Sequence, residues 1–376
     1  MTGIVSRRTG TLTRRIGLTV AGLVLAGAAA VLVWSAVATA SYQHAQAARL
    51  EQVLRLAESG LALDAAVHGA QDDVALAEAA LAAAPVGYVS AEAVAALDAA
   101  RGELVGAIDA ATASSHESPA APTAFLDPTA LASATDELLD QAVAAHDAAA
   151  DQSEVIAALH AAEEVNADAG GSLLASAKAL ATAILPANPS VANQPHVTFL
   201  KLQESLATLE VLDAEAVDLL TQYVTVADTV SASHAAEEAE KAGALYGLRA
   251  EVEAYARSIS GGVLLDFNWQ PIVIGYSMAG TATIESSPPY YYSTITLTNS
   301  IADNWGETVP VSLVTHEVGH AITSKCMDAF NSAFGGDYER WATAWAMSWG
   351  YPAGPSGADQ YGVPTPDQVA IAGTCR

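Results

Sequence analysis

The strongest constraint on this chain lies near its start. From Ile16 to Ala40 it reads "IGLTVAGLVLAGAAAVLVWSAVATA", without a single charged residue. A helix needs about 20 apolar residues to span a bilayer, and this run is long enough. Arg7, Arg8, Arg14 and Arg15 precede it, and no acid stands among them. Basic residues on one flank place that flank in the cytoplasm. We therefore expect residues 1–15 to be a basic cytoplasmic N-terminus and residues 16–40 a single transmembrane signal-anchor helix, with the rest of the chain extracytoplasmic at the cell membrane. The competing reading is secretion after signal cleavage, because "ATA" at 38–40 has the small-residue form of a cleavage site. The run exceeds the roughly 7–15 apolar residues of a signal peptide, which favours the anchor. Both readings send the body of the protein to the same compartment.

Charge narrows the partners. The formal net charge is -27. Four of the 15 basic residues precede the apolar run, so the exported part sets 11 of them against all 42 acids. Such a surface repels phosphate backbones and anionic lipid, which excludes nucleic acid as a partner. Cys326 and Cys375 are the only cysteines. An even number in an oxidising compartment is expected to be bridged, the other reading being two free buried thiols.

Alanine dominates the composition, and alanine loses no side-chain entropy in a helix. Residues 41–258 read as an alanine-rich helical stalk or bundle. Val53, Leu56, Gly60, Leu63, Val67, Ala70, Val74, Ala77 and Leu81 recur at alternating three- and four-residue steps, while Glu51, Glu58, Asp64, Asp72, Asp73 and Glu78 fall off that stripe. This is a narrow seam of small residues, suited to close helix packing by self-association or by folding back within the chain. "APVGYVS" (84–90) breaks it, and Ser90 caps a second helix to about Ala113. Residues 114–130 read as a Pro-containing linker. A third helical block follows to about residue 184, expected to break near Gly170-Gly171. A fourth helix starts near Val197, with a seam through Leu202, Ser205, Leu209, Leu212, Ala216, Leu219, Tyr223, Val226 and Val230. His44, His68, His116, His146, His160, His196 and His234 are scattered over this region without a ligand pattern.

At Gly261-Gly262 the texture changes. "VLLDFNW", "PIVIGYS", "GTATIES" and "YYYSTITLTN" are short and rich in β-formers, separated by Gly, Pro and Ser. All tryptophans but Trp34 lie beyond residue 260. The expected fold is mostly α, with a C-terminal α+β domain over 259–376. Thr308 is a candidate cap for a helix carrying "LVTHEVGHAIT" (313–323), and Asp337 for the next helix, "YERWATAWA". Trp341, Trp345 and Trp349 recur every four residues as a core stripe, and Gly319 permits another segment to approach the first helix closely.

On that helix His316 and His320, four apart, share one face with Glu317 beside them. Two imidazoles at this spacing suit Zn2+, and an adjacent carboxylate suits the general base that deprotonates its bound water. No histidine follows His320, and Thr323 and Cys326 stand where a metzincin needs Gly and His. Glu339 on the next helix is the leading third ligand, with Asp337 and Asp328 as fallbacks.

Here "HEVGH" and "YERWATAWA" resemble the gluzincin metallopeptidases, which carry an HExxH helix and a glutamate ligand on a second helix. The resemblance covers about residues 260–376. It implies zinc ligands His316, His320 and Glu339, with Glu317 as general base. It also implies that "STITLTNS" is an edge strand pairing with extended peptide. No Gly-x-Met-Glu-Asn signature precedes the helix, so endopeptidase is favoured over aminopeptidase. The oxyanion-steadying residue is not identifiable by position; Tyr351 and Tyr361 are candidates.

The expected function is therefore a membrane-anchored extracytoplasmic zinc metallopeptidase, hydrolysing peptide bonds with Glu317 acting on a zinc-bound water. The alternative, from a different class, is a non-catalytic cell-envelope interaction protein whose helical region is the functional part. Its metal site would be structural or inactive. A structural site needs no acid at position 317 and fills its fourth position with protein.

Overall fold

The computed structural model describes residues 12–114, 120–123 and 127–376, with side chains described from Ala26 onward. Most of the expected cytoplasmic segment, and His116, lie outside the described residues. Helix dominates the chain, joined by a small mixed sheet of four strands near the C-terminus.

Three long helices come first: α1 (Leu12–Ala83), α2 (Ala91–Ala113) and α3 (Pro128–Ala187). The apolar run 16–40 is continuous helix within α1. Its residues Val31, Leu32, Val33, Trp34 and Val37 are all exposed. By length and composition, among the described residues, α3 holds a stretch apolar enough to cross a membrane. Gly170-Gly171 does not break α3. Gly170 faces Leu212, whose Cβ would lie 3.0 Å from a Cβ at position 170, so the glycine serves close packing.

Two compact units are formed, one from 1–78 with 98–168, the other from 79–97 with 169–376. In the first, the α1 seam is consumed within the chain. Leu56 packs with Ala145 and Ala148, and Ala70 with Leu104 and Leu159. Small side chains on all three helices allow this approach.

The second unit takes in more of the chain than residues 259–376. The single fourth helix expected from the sequence is two, α4 (Asn193–Thr208) and α5 (Ala214–Lys241). The break falls where Leu209 turns extended and Asp213 caps α5, its carboxylate accepting from the Ala216 N–H. The buried stripe of α5 is Ala216, Leu220, Tyr223, Ala227 and Val230, so Leu219 and Val226 of the expected seam sit beside it. Helix α6 (Tyr246–Ile259) is not stalk: Val252, Ala256 and Ile259 belong to the same hydrophobic core as the sheet.

The strands are β1 (Leu264–Gln270), β2 (Gly280–Ala282), β3 (Glu285–Ser287) and β4 (Tyr290–Thr298). "PIVIGYS" forms no strand but a tight turn in which Val273 and Tyr276 pair. The expected edge role of "STITLTNS" is also corrected. β4 lies inside the sheet, parallel to β1 on one side and antiparallel to β2 and β3 on the other. Its buried Ile295 and Leu297 stand in register with Phe267 and Trp269 of β1. The edge strands are β1 on one side and β2, with β3, on the other.

After β4 come α7 (Asn299–Asp303), α8 (Thr308–Ile322), α9 (Met327–Phe334), α10 (Tyr338–Ser348), the single turn α11 (Asp359–Tyr361) and α12 (Pro366–Ala372). Val314, Val318 and Ile322 of α8 pack into the core with the sheet residues. Trp341 and Trp345 are fully buried, whereas Trp349 is partly exposed and lies 4.3 Å from the Arg376 guanidinium, so the tryptophan stripe ends one turn early. Cys326 and Cys375 form a disulfide.

Candidate metal centre

Helix α8 carries four β-branched valines, yet its interior is held by burial rather than propensity: every residue from Val314 to Ile322 is buried. Pro310 sits in its first turn, where a missing N–H costs nothing. Glu307, not Thr308, occupies the cap position, and no side chain caps it. Helix α10 starts as the sequence indicates: the Asp337 carboxylate accepts from the Arg340 N–H.

Gly319 brings the two helices together. A Cβ there would lie 2.9 Å from the Ala342 Cα, so only glycine admits this contact. The Trp341 indole N–H donates to the Gly319 carbonyl at 2.9 Å and fixes the relative rotation. Glu339, one turn before Thr343 on the same helix, is thereby carried to the two histidines.

The ligand atoms converge. Nε2 of His316 lies 3.1 Å from Glu339 Oε2 and 3.1 Å from His320 Nε2, and His320 Nε2 lies 3.4 Å from Glu339 Oε2. Tetrahedral zinc with bonds of about 2.0–2.2 Å separates its ligand atoms by roughly 3.3–3.6 Å, so this triangle is close to the required size. The protonation pattern agrees. His316 Nδ1 stands 2.9 Å from the Ser356 carbonyl, to which it must donate, leaving Nε2 a lone pair in the neutral ring. A proton on Nε2 can point at one neighbour, whereas a cation satisfies all three lone pairs. Among the described residues, no fourth ligand joins the three. Asp337 is occupied as a cap, Asp328 is exposed on α9, and neither belongs to the cluster.

Burial disfavours charge on His316, but Glu339 and Glu317 outweigh it and raise its pKa. Burial likewise opposes ionisation of Glu339, yet hydrogen bonds with both imidazoles bring its carboxyl down to about 2. The half-buried Glu339 is thus held as a carboxylate.

Glu317 is buried, and its Oε2 has no hydrogen-bond partner. Burial raises its pKa, the two histidines opposing. It lines two adjoining cavities of about 270 and 360 Å³, both of which also reach His316 and Gly280. An unpaired buried carboxylate oxygen is costly, and this one faces the two cavities.

The structure separates the two tyrosine candidates. Tyr361 lines both cavities, and its ring stacks on His316 at 5.9 Å between centroids. Burial and the charges of Glu339 and Glu317 raise its pKa, so its hydroxyl stays a donor. Tyr351 lines neither cavity. Its hydroxyl lies 2.9 Å from that of Tyr255, which in turn lies 2.7 Å from Thr315 Oγ1.

Several participants carried no sequence signal. Ser356 holds the tautomer of His316 through its carbonyl, and its own hydroxyl donates to Pro352 O at 2.7 Å and lies 3.0 Å from Ser312 Oγ. Gly280 stands against Glu317. Gly357, at φ 104, is the one hint available from sequence, as a glycine in a Pro/Ser/Gly loop.

No family model, curated protein or solved structure matches this chain.

Proposed function

We propose that this chain is a membrane-anchored, extracytoplasmic zinc metallopeptidase, most simply an endopeptidase. The observation that carries the reading is the three-ligand triangle of His316, His320 and Glu339 beside a buried, unpartnered Glu317 oxygen that faces a cleft. Zinc held there would supply Lewis acidity toward a scissile carbonyl and toward water.

The chain's own residues do the rest. The free edge of β2 offers unpaired backbone groups to an extended peptide, laying its backbone past Gly280 and toward Glu317. Glu317 accepts a proton from the attacking water as the water oxygen bonds to the carbonyl carbon. It then delivers that proton to the amine as the C–N bond breaks. Its raised pKa suits both halves of this transfer. The Tyr361 hydroxyl donates to the oxygen that gains charge in the tetrahedral stage. Tyr351, tied to Tyr255, supports the back of α8 instead. The exposed apolar residues Val31–Trp34 and Val37 support the anchor reading of α1, and the disulfide suits an oxidising compartment.

The test is hydrolysis of a mixed peptide pool by the full chain supplied with zinc, beside Glu317→Gln. Loss of about 10²–10⁴-fold in rate with metal retained supports the reading. Equal hydrolysis by both, or by neither, contradicts it.

A further inference from the structure

The turn at 273–276 hangs over the cleft and breaks a local rule. Val273 and Tyr276 exchange both backbone hydrogen bonds, at 3.0 and 2.9 Å, around Ile274 and Gly275. Both central residues have positive φ, 43° and 85°. A two-residue turn of this kind favours Asn-Gly, and a β-branched residue in its first position is a steric outlier. Among the described residues, Ile274 is the only non-glycine with positive φ. The residue is 67% exposed, so burial does not account for it. Backbone strain kept without a packing reward points to a use for the side chain.

The surroundings indicate that use. Ile274 lines both cavities of the site. In the first it is joined by Tyr276, Met278, Val309 and Leu313, next to His316 and Glu317. Tyr276 and Val309 are also exposed. Two segments, residues 274–278 and α8, thus place apolar surface at the reacting groups. Besides Glu317, the one acid in this lining is Asp359, which is itself exposed to solvent at the rim.

We propose that the Val273–Tyr276 turn is the specificity element of the site. Ile274 and Tyr276 on one side, and Val309 and Leu313 of α8 on the other, clasp an apolar side chain of a peptide adjacent to the bond that is cut. This rests on the peptidase reading above. It adds the substrate class, peptides with a bulky apolar residue at that position, and assigns the selection to one exposed, strained isoleucine.

The experiment uses the full chain in detergent with zinc, and peptides of one sequence carrying Leu, Asp or Lys beside the cleavage point. Cleavage is read by mass spectrometry, and binding is read by fluorescence on the Glu317→Gln background. Wild type is expected to prefer Leu over Asp and Lys by tenfold or more in both readouts, within the range that apolar pockets achieve. Ile274→Asn is expected to lose most of that preference while its thermal midpoint holds or rises, because asparagine accepts positive φ. That combination separates a specificity role from a structural one. Cleavage without apolar preference, or a preference for Lys set by Asp359, overturns the subsite and leaves the peptidase reading standing. A preference unchanged in Ile274→Asn overturns the assignment to the turn. Peptides neither cleaved nor bound overturn both readings.

Discussion

Gly280 on β2 and Glu317 on α8 are in mutual contact so close that no side chain fits between them. A Cβ at position 280 would lie 2.7 Å from Glu317 Cγ and 2.9 Å from its Oε1. The β2 edge of the sheet and the proposed base are thus held in one geometry. We expect Gly280→Ala to displace the carboxylate and cut peptide hydrolysis about 10²-fold, the size of effect that a displacement near 1 Å produces. Circular dichroism and zinc content should be unchanged. Full activity in Gly280→Ala would show that Glu317 need not stand where it does.

Gly357 plays the matching part for His316. Its φ is 104°, and a Cβ there would lie 3.2 Å from His316 Cε1 and 3.1 Å from Thr343 Oγ1. Ser356, the preceding residue, accepts the hydrogen bond that sets the His316 tautomer. Gly357→Ala is expected to weaken zinc affinity about 10–100-fold, as loss of outer-shell support generally does. Competition against a chromophoric chelator measures this, and an unchanged affinity would detach the 353–361 loop from the centre.

Far from the centre, Glu237 on α5 is held by burial, with the charges of Asp266, Glu240 and Glu253, at a pKa raised to about 7, Lys241 opposing. An unfolded glutamate titrates near 4.5. Between these values the folded chain binds a proton that the unfolded chain lacks, so stability falls as pH rises from about 4.5 to about 7. Above pH 7 the full penalty remains. Glu237→Gln should therefore be more stable than wild type at about pH 8, with the gap closing below about pH 4.5. Denaturant titration across that range measures it, and a gap independent of pH would refute the titration.

The disulfide closes a loop whose ends are 49 residues apart and which contains α9, α10 and α12. Chain entropy assigns such a link about 2–4 kcal/mol. Cys326→Ser with Cys375→Ser should lower the thermal midpoint accordingly, read by calorimetry with and without zinc. An unchanged midpoint would show that the core around Trp345 holds this segment alone.

Local chemistry made much of this molecule legible in the sequence. Asp337 announces α10, and Gly319 marks the close approach of α10. The helical spacing of His316 and His320, and the placement of Glu339, followed from periodicity and resemblance. What failed to show was long-range. Alternation identifies Ile295 and Leu297 as buried but not the strands that flank them, so β4 reads as well for an edge as for the interior. Nothing local tells α6 from the helices before it, because its Val252, Ala256 and Ile259 need the sheet to be seen as core. Ser356 and Gly280 act through a carbonyl and a missing Cβ, neither of which leaves a residue pattern.

The proposal that His316, His320 and Glu339 hold a metal stands or falls on metal content. Elemental analysis of the purified full chain, loaded with zinc and desalted, should find about one zinc per chain in wild type and in Glu317→Gln. It should find far less in His316→Ala and in Glu339→Ala. Absence of zinc from wild type, or zinc retained equally in Glu339→Ala, would contradict the three-ligand centre and with it the peptidase reading.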